Sequence, residues 1–133
     1  MDKIVLSGFA DEISSSLDRQ IQVLKKLGIS HMEIRGVEKK GIDTYTTEEV
    51  KEIKGKLDDQ GIAISSLASP IGKINIKDDF TPHLEHFKHV AELAHVLNTR
   101  YIRMFSFFMP EGEEPDGYKE TVFEQLDRLI RVG

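Results

Sequence analysis

Two apolar runs alternate with charged, histidine or aromatic side chains at every second position. One reads His31-Met32-Glu33-Ile34-Arg35; the other reads Tyr101-Ile102-Arg103-Met104-Phe105. Alternation of period two puts Met32 and Ile34 on one face of a strand and His31, Glu33 and Arg35 on the other. Ile102 and Met104 likewise share a face opposite Tyr101, Arg103 and Phe105. If the apolar faces pack on helices, Glu33, Arg35 and Arg103 point together into a polar interior. An unpaired buried ion costs several kcal/mol, so these groups need partners, water or a ligand. The constellation suits a polar small molecule held by a carboxylate and two guanidinium groups. The plainer reading is an internal salt-bridge cluster that only fills space.

Further candidates lie near strand ends. Ser65-Ser66-Leu67-Ala68-Ser69-Pro70 closes a third apolar run, and Ser69 offers a hydroxyl where loops converge. Phe9 follows the first run and can wall a pocket. Lys73 lies in the next loop and reads as a solvated lysine or a phosphate contact. His83, His86, His89 and His95 share one helical segment whose apolar stripe is Leu84, Phe87 and Ala91, so His86, His89 and His95 are expected on its solvated face. His31 reads as an interior or rim residue.

The elements that position these groups form a repeat. A helix pattern passes through a short turn into a strand three times, at Leu27-Gly28-Ile29, Gln60-Gly61-Ile62 and Leu97-Asn98-Thr99-Arg100-Tyr101. Strands are expected at Lys3–Phe9, His31–Arg35, Ile62–Ala68 and Tyr101–Phe107. The first helix carries Leu17, Ile21, Leu24 and Leu27, with a serine among 14–16 as its cap. Thr46 and Glu49 match a capping box ahead of Val50, Ile53 and Leu57. Thr81-Pro82 reads as the start of the third helix. Val122, Leu126, Leu129 and Ile130 mark a fourth, after an acidic loop at 110–117. The segment 36–45 reads as loop. Repeated strand–helix units predict a parallel α/β sheet, because parallel neighbours need a crossover between them. Ligands of such sheets bind at the carboxyl ends of the strands.

Composition narrows the classes. The 133 residues predict one domain with a core of ordinary size. A net charge of −5 leaves no basic field for nucleic acid. The absence of cysteine removes disulfides, thiolate metal sites and a cysteine nucleophile. No apolar stretch approaches the ~20 residues of a membrane span, and the N-terminus lacks a signal-peptide pattern, so a cytoplasmic chain is expected. No glycine-rich nucleotide cradle or nucleophile elbow occurs. A receiver-type signalling module fits poorly, since the third strand ends in serine where an acceptor Asp is needed.

Gly8-Phe9-Ala10-Asp11-Glu12-Ile13, the run from Leu27 to Arg35, and Tyr101-Ile102-Arg103-Met104-Phe105-Ser106 together resemble the sugar phosphate isomerase/epimerase group of the xylose-isomerase-like TIM-barrel superfamily. The resemblance implies a (β/α)8 barrel acting on a small sugar or sugar phosphate. It implies a divalent metal (Mn, Mg or Zn) in the full barrel and two carboxylates that move a proton through an enediol. In isomerase-type members the metal ligands follow strands five to eight. Four strand–helix units are therefore expected to form an N-terminal half-barrel, truncated, without catalytic or metal residues and inactive alone. Glu33, Arg35, Arg103, Ser69 and Phe9 are its expected substrate-binding residues. Exposed edges at the first and fourth strands raise the prospect of a homodimer that rebuilds eight strands. Related abasic-DNA endonucleases place histidines after strands three and four; Ser69-Pro70 and Ser106-Phe107-Phe108 stand there instead. The competing architecture is a non-catalytic binding module with an open flavodoxin-like sheet and helices on both faces.

Overall fold

A computed structural model describes residues 4–132. Strands β1 (Ser7–Phe9), β2 (His31–Ile34), β5 (Ala63–Ala68) and β6 (Ile102–Arg103) form one parallel sheet in the order β1-β2-β5-β6. Helices α1 (Leu17–Lys26), α2 (Thr47–Asp59), α3 (Phe80–Val96) and α4 (Lys119–Val132) follow the four strands in turn. The strand order is also the chain order, with no reversal. Crossovers of one hand then place every helix on the same side of the sheet. Met32, Ile34, Ile64 and Leu67 are buried under that layer, while Glu33 and Arg103 keep 25 % and 32 % of their side-chain exposure on the other. A flavodoxin-like sheet reverses its order and carries helices on both faces. That alternative is therefore excluded.

The sheet is strongly curled. Ser7 on β1 and Ser65 on β5 have β2 between them, yet their hydroxyls meet at 2.6 Å. Phe9 on β1 lies 5.7 Å from the Arg103 guanidinium on β6, two strands further across the sheet than its neighbour. In a flat sheet β1 and β6 would stand about 14 Å apart. Side chains converge this way only on the concave face of a barrel-like wall.

Helix ends follow local chemistry. Ser16 caps α1, and Glu38 also accepts the Leu17 N–H at 2.9 Å. Thr46 and Glu49 form the expected capping box on α2. The start of α3 differs from expectation. Asp79 is its cap, and Pro82 falls inside the first turn, where its missing N–H has no helical acceptor to lose. Two stripes need correction. Leu27 and Ile130 are exposed, 64 % and 74 %, because each lies past the end or edge of its buried face.

The strands are shorter than their apolar runs. Ile4, Val5 and Leu6 precede β1 and are exposed; Lys3 lies outside the described residues. Arg35 and Ile62 fall just outside β2 and β5. Beyond β6 the chain pairs with the loop after β5 and turns through a positive φ at Phe107. Phe105 N–H donates to Ile71 O, Phe107 N–H to Gly72 O and Phe108 N–H to Ile74 O. Segment 36–45 is not plain loop. It holds a two-stranded hairpin, β3 (Gly36–Val37) and β4 (Lys40–Gly41), then a 3-10 turn at Ile42–Thr44. No described helix is long and apolar enough to cross a membrane.

Candidate functional site

The carboxyl ends of the four parallel strands bring the predicted residues to one concave surface. Parallel register aligns Phe9 with Glu33, and Asp11 and Arg35 follow just past the paired ends of β1 and β2. Asp11 accepts a bidentate pair from Arg35, Nε to Oδ2 at 2.7 Å and Nη2 to Oδ1 at 2.8 Å; Glu12 adds a longer contact at 3.5 Å. Hydrogen bonds to Asp11 hold the Arg35 guanidinium above its ordinary pKa, so it is a fixed cation. The same guanidinium stacks 4.3 Å from the Phe9 ring.

Arg103 is placed differently. Its register partner is Ala68, whose small side chain leaves space beneath the guanidinium. Arg103 lies 4.8 Å from the Phe105 ring, and its Nε stands 3.9 Å from Glu33 Oε1, too far for a hydrogen bond. That Nε is buried and has no acceptor among the described residues. A buried charged donor left unpaired is costly, and the Glu33 carboxylate, 3.9 Å away, offsets part of that cost as a counter-charge.

Ser69 sits at this end but serves the fold. Its hydroxyl donates to Arg103 O at 2.7 Å and accepts the Ile71 N–H at 3.3 Å. It latches the end of β5 to β6 and sets the height of Arg103. Next to it a cavity of about 220 Å³ opens between Arg35, Asp43, Ser69, Lys73, Arg103 and Phe105. A larger groove of about 750 Å³ runs between α1 and α2, lined by Asp18, Arg19, Lys25 and Lys56. It lies between the helices and not on the concave face that carries Glu33 and Arg103, so the smaller cavity is the candidate site.

One feature escaped the sequence. Asp11 was readable only through the β1–β2 register. Lys73 is aimed 5.1 Å from the Phe105 ring by the loop after β5. In that loop Gly72 has φ +85°, and a Cβ there would meet Phe105 O at 1.6 Å. Its N–H donates to His83 Nε2 at 2.8 Å. Burial, with His86 nearby, pushes His83 below its ordinary pKa and keeps that acceptor neutral. Of the three histidines expected on a solvated face, His95 is exposed, whereas His86 and His89 are tethers: His86 Nε2 meets Asp43 Oδ2 at 3.0 Å, and His89 Nε2 meets Tyr45 O at 2.7 Å. They fasten the segment after β4 to α3. His31 is a partly buried residue whose Nδ1 meets the Ser30 hydroxyl at 2.8 Å.

The carboxylates here do not form a metal site. Asp11 is engaged by Arg35, Asp43 by His86, and Glu33 faces Arg103. Among the described residues no three His, Asp or Glu groups are placed to hold an ion. The divalent metal implied by the resemblance does not fit this donor set.

A family model described as a xylose isomerase-like TIM barrel matches residues 21–133. The chain belongs to the xylose isomerase-like TIM barrel family. Comparison with curated proteins finds no match. Several solved structures share the fold. The probable 3-DHS dehydratase AsbF of Bacillus anthracis, involved in petrobactin synthesis, aligns at TM-score 0.75 and 16 % identity, over 97 % of this chain and 48 % of its own. A sugar phosphate isomerase/epimerase of Parabacteroides distasonis aligns at 0.66 and 20 %, over 99 % and 48 %. A xylose isomerase-like TIM barrel protein of Mycobacterium smegmatis, in complex with magnesium, aligns at 0.63 and 14 %, over 97 % and 52 %. The chain thus spans about half the length of the structures it matches, and its four strand–helix units correspond to half of a (β/α)8 barrel.

Proposed function

We propose that this chain supplies the substrate-holding wall of a sugar isomerase or epimerase barrel. The observation that carries the reading is Arg103: a guanidinium at the open end of a concave sheet, with a buried Nε lacking an acceptor and Glu33 just beyond bonding distance. Phe9 offers its ring to the apolar face of a sugar. Glu33 accepts from hydroxyls, Arg103 donates to a carbonyl or hydroxyl oxygen, and Arg35, braced by Asp11, holds the rim. Ser69 acts through Arg103, as a positioning residue. The names of the structural relatives, a dehydratase and an isomerase/epimerase, support chemistry at carbon next to a carbonyl without choosing among its outcomes.

In this reading the proton-moving carboxylates and the divalent metal belong to strands beyond these four. The chain alone therefore binds without turnover. The test is solvent exchange. In D2O with Mg²⁺ or Mn²⁺, the protein should introduce no deuterium into D-fructose by proton NMR. Exchange above the buffer rate would show that the described residues suffice for the chemistry, and the division of roles would fall.

The two free edges, β1 and β6, and the open concave face support pairing of two copies. Sedimentation at micromolar concentration should show a dimer; a monomer across the concentration range would remove this part of the proposal.

A further inference from the structure

Three histidines follow one another along α3, and each reaches out to a loop. His83 Nε2 meets the Gly72 N–H at 2.8 Å, His86 Nε2 meets Asp43 Oδ2, and His89 Nε2 meets Tyr45 O. Asp43 and Lys73, the residue after Gly72, stand on the wall of the strand-end cavity. The three contacts differ in what a proton does to them. A carbonyl only accepts, so His89 donates to Tyr45 O in either charge state. His86 faces a carboxylate, and an added proton turns that contact into an ion pair. An amide N–H only donates, so His83 Nε2 must keep its lone pair and carry its ring proton on Nδ1. Protonation of His83 would set two N–H groups against each other. Gly72 is buried, and among the described residues its N–H has no second acceptor. The surroundings disfavour an imidazolium. His83 lies in the first turn of α3, at the positive end of the helix dipole, with no acidic side chain in that turn. Asp79, the cap, is engaged by the Thr81 N–H, and His86 repels a second charge. From α4, Arg128 rests 4.9 Å from the Phe80 ring, which lies 6.0 Å from the His83 ring. From the loops come Lys73 beside Gly72 and Asp43 bonded to His86; no charged side chain of α2 is bonded to His83.

We infer that His83 is a positioning residue of the strand-end cavity, acting through Gly72, and that acid releases the wall it holds. With the ring neutral, Gly72 stays docked on α3, and Lys73 keeps its place beside Phe105. With the ring protonated, the Gly72 N–H loses its acceptor and the segment 72–75 loosens. The release is local, since Ile71 and Ile76 stay buried on either side. The opposite wall does not follow, because the His86–Asp43 contact tightens under the same conditions. Burial and then His86 hold the His83 pKa below the ordinary value. The docked state thus binds the proton less readily than the released state. Docking is complete above the ordinary histidine pKa of about 6.5 and is lost as pH falls through the lowered value. The latch itself is independent of any ligand; only its consequence for binding rests on the sugar reading above.

Amide and imidazole NMR of the whole chain between pH 8 and pH 5, without ligand, tests the latch. Relative to its intrinsic exchange rate, the Gly72 amide should be about tenfold or more better protected at pH 8 than at pH 5. Its shift should follow the His83 imidazole with one midpoint below about 6.5. Val90, buried in the middle of α3, should keep its protection throughout. His83→Gln offers an acceptor oxygen near the place of Nε2 that does not titrate, so it should keep Gly72 protected and remove the pH response. His83→Leu should expose Gly72 at every pH; if that variant fails to fold, the wild type and His83→Gln still decide. Equal protection of Gly72 at both ends of the titration, or a pH response that survives His83→Gln, would overturn the inference. D-fructose carries no group that titrates in this range. Its affinity by calorimetry should fall about fivefold or more from pH 8 to pH 5 in the wild type but not in His83→Gln. A flat affinity beside a titrating Gly72 would overturn the role of His83 in the site and leave the sugar reading standing. Absence of D-fructose binding at every pH would count against the sugar reading alone, because the ligand-free titration decides the latch.

Discussion

Arg35 and Arg103 project from the same concave face, yet only one of them is satisfied. Arg35 spends two of its donors on Asp11, whereas Arg103 keeps a buried Nε without an acceptor. The shared face of Glu33, Arg35 and Arg103 was legible in the sequence, because strand alternation assigns faces without knowledge of neighbours. The pairing with Asp11 was not, since it depends on which strand lies beside β2 and in what register. Ser69 looked like a ligand hydroxyl by type, but its donor is consumed by a main-chain carbonyl that only the β5–β6 pairing brings within reach. Lys73 read as a solvated lysine or a phosphate contact, because its direction is set by a neighbouring glycine. Asp11 offers the sharpest residue-scale prediction. Asp11→Asn should cost about 1 kcal/mol of stability in thermal denaturation, as for one lost charged contact at a partly exposed site. It should also free Arg35 toward the cavity and raise affinity for D-fructose 6-phosphate severalfold by calorimetry. Unchanged affinity would show that Arg35 plays no part in ligand charge.

Among the elements, the helices were the easiest to read. Caps at Ser16 and Thr46 and the stripe Val50, Ile53 and Leu57 are local signals, and the structure uses them as written. The hairpin at 36–41 left no such trace. Its turn residues Glu38 and Lys39 both have positive φ, positions that usually call for glycine or asparagine. The strain is offset by tertiary bonds: Glu38 N–H donates to Ser15 O, and its carboxylate caps α1. Strand four was read too long for a related reason. Residues 105–108 are hydrogen-bonded, but to the loop at 71–76, whose path no periodicity encodes, and Phe107 breaks the extended run with a φ of +77°. Gly72 is the pivot of that loop. Gly72→Ala combines a left-handed φ with a clash against main-chain oxygen, so it should destabilise the fold by about 2–3 kcal/mol. Denaturant unfolding checks this; a loss below about 0.5 kcal/mol would mean the loop shifts freely and does not set Lys73.

At the scale of the molecule, strand order decides the architecture. Chain-order pairing and a curled sheet make a barrel wall with one helix-covered face and one open, charged face. The repeat announced parallel α/β structure, but repeats alone do not distinguish a curling wall from a doubly wound sheet; the register and the cross-sheet contacts do. Phe123 and Ile130 on α4, and Tyr101 before β6, remain exposed apolar groups at one side of the wall, where the next unit of a barrel would pack. The central claim is that sugars bind the concave strand ends and not the larger groove between α1 and α2. Amide chemical-shift mapping with D-fructose 6-phosphate tests it most directly. Saturable shifts should gather at residues 9–12, 33–36, 69–73 and 103–106. Shifts centred on Asp18, Lys25 and Lys56, or none at saturating ligand, would contradict it.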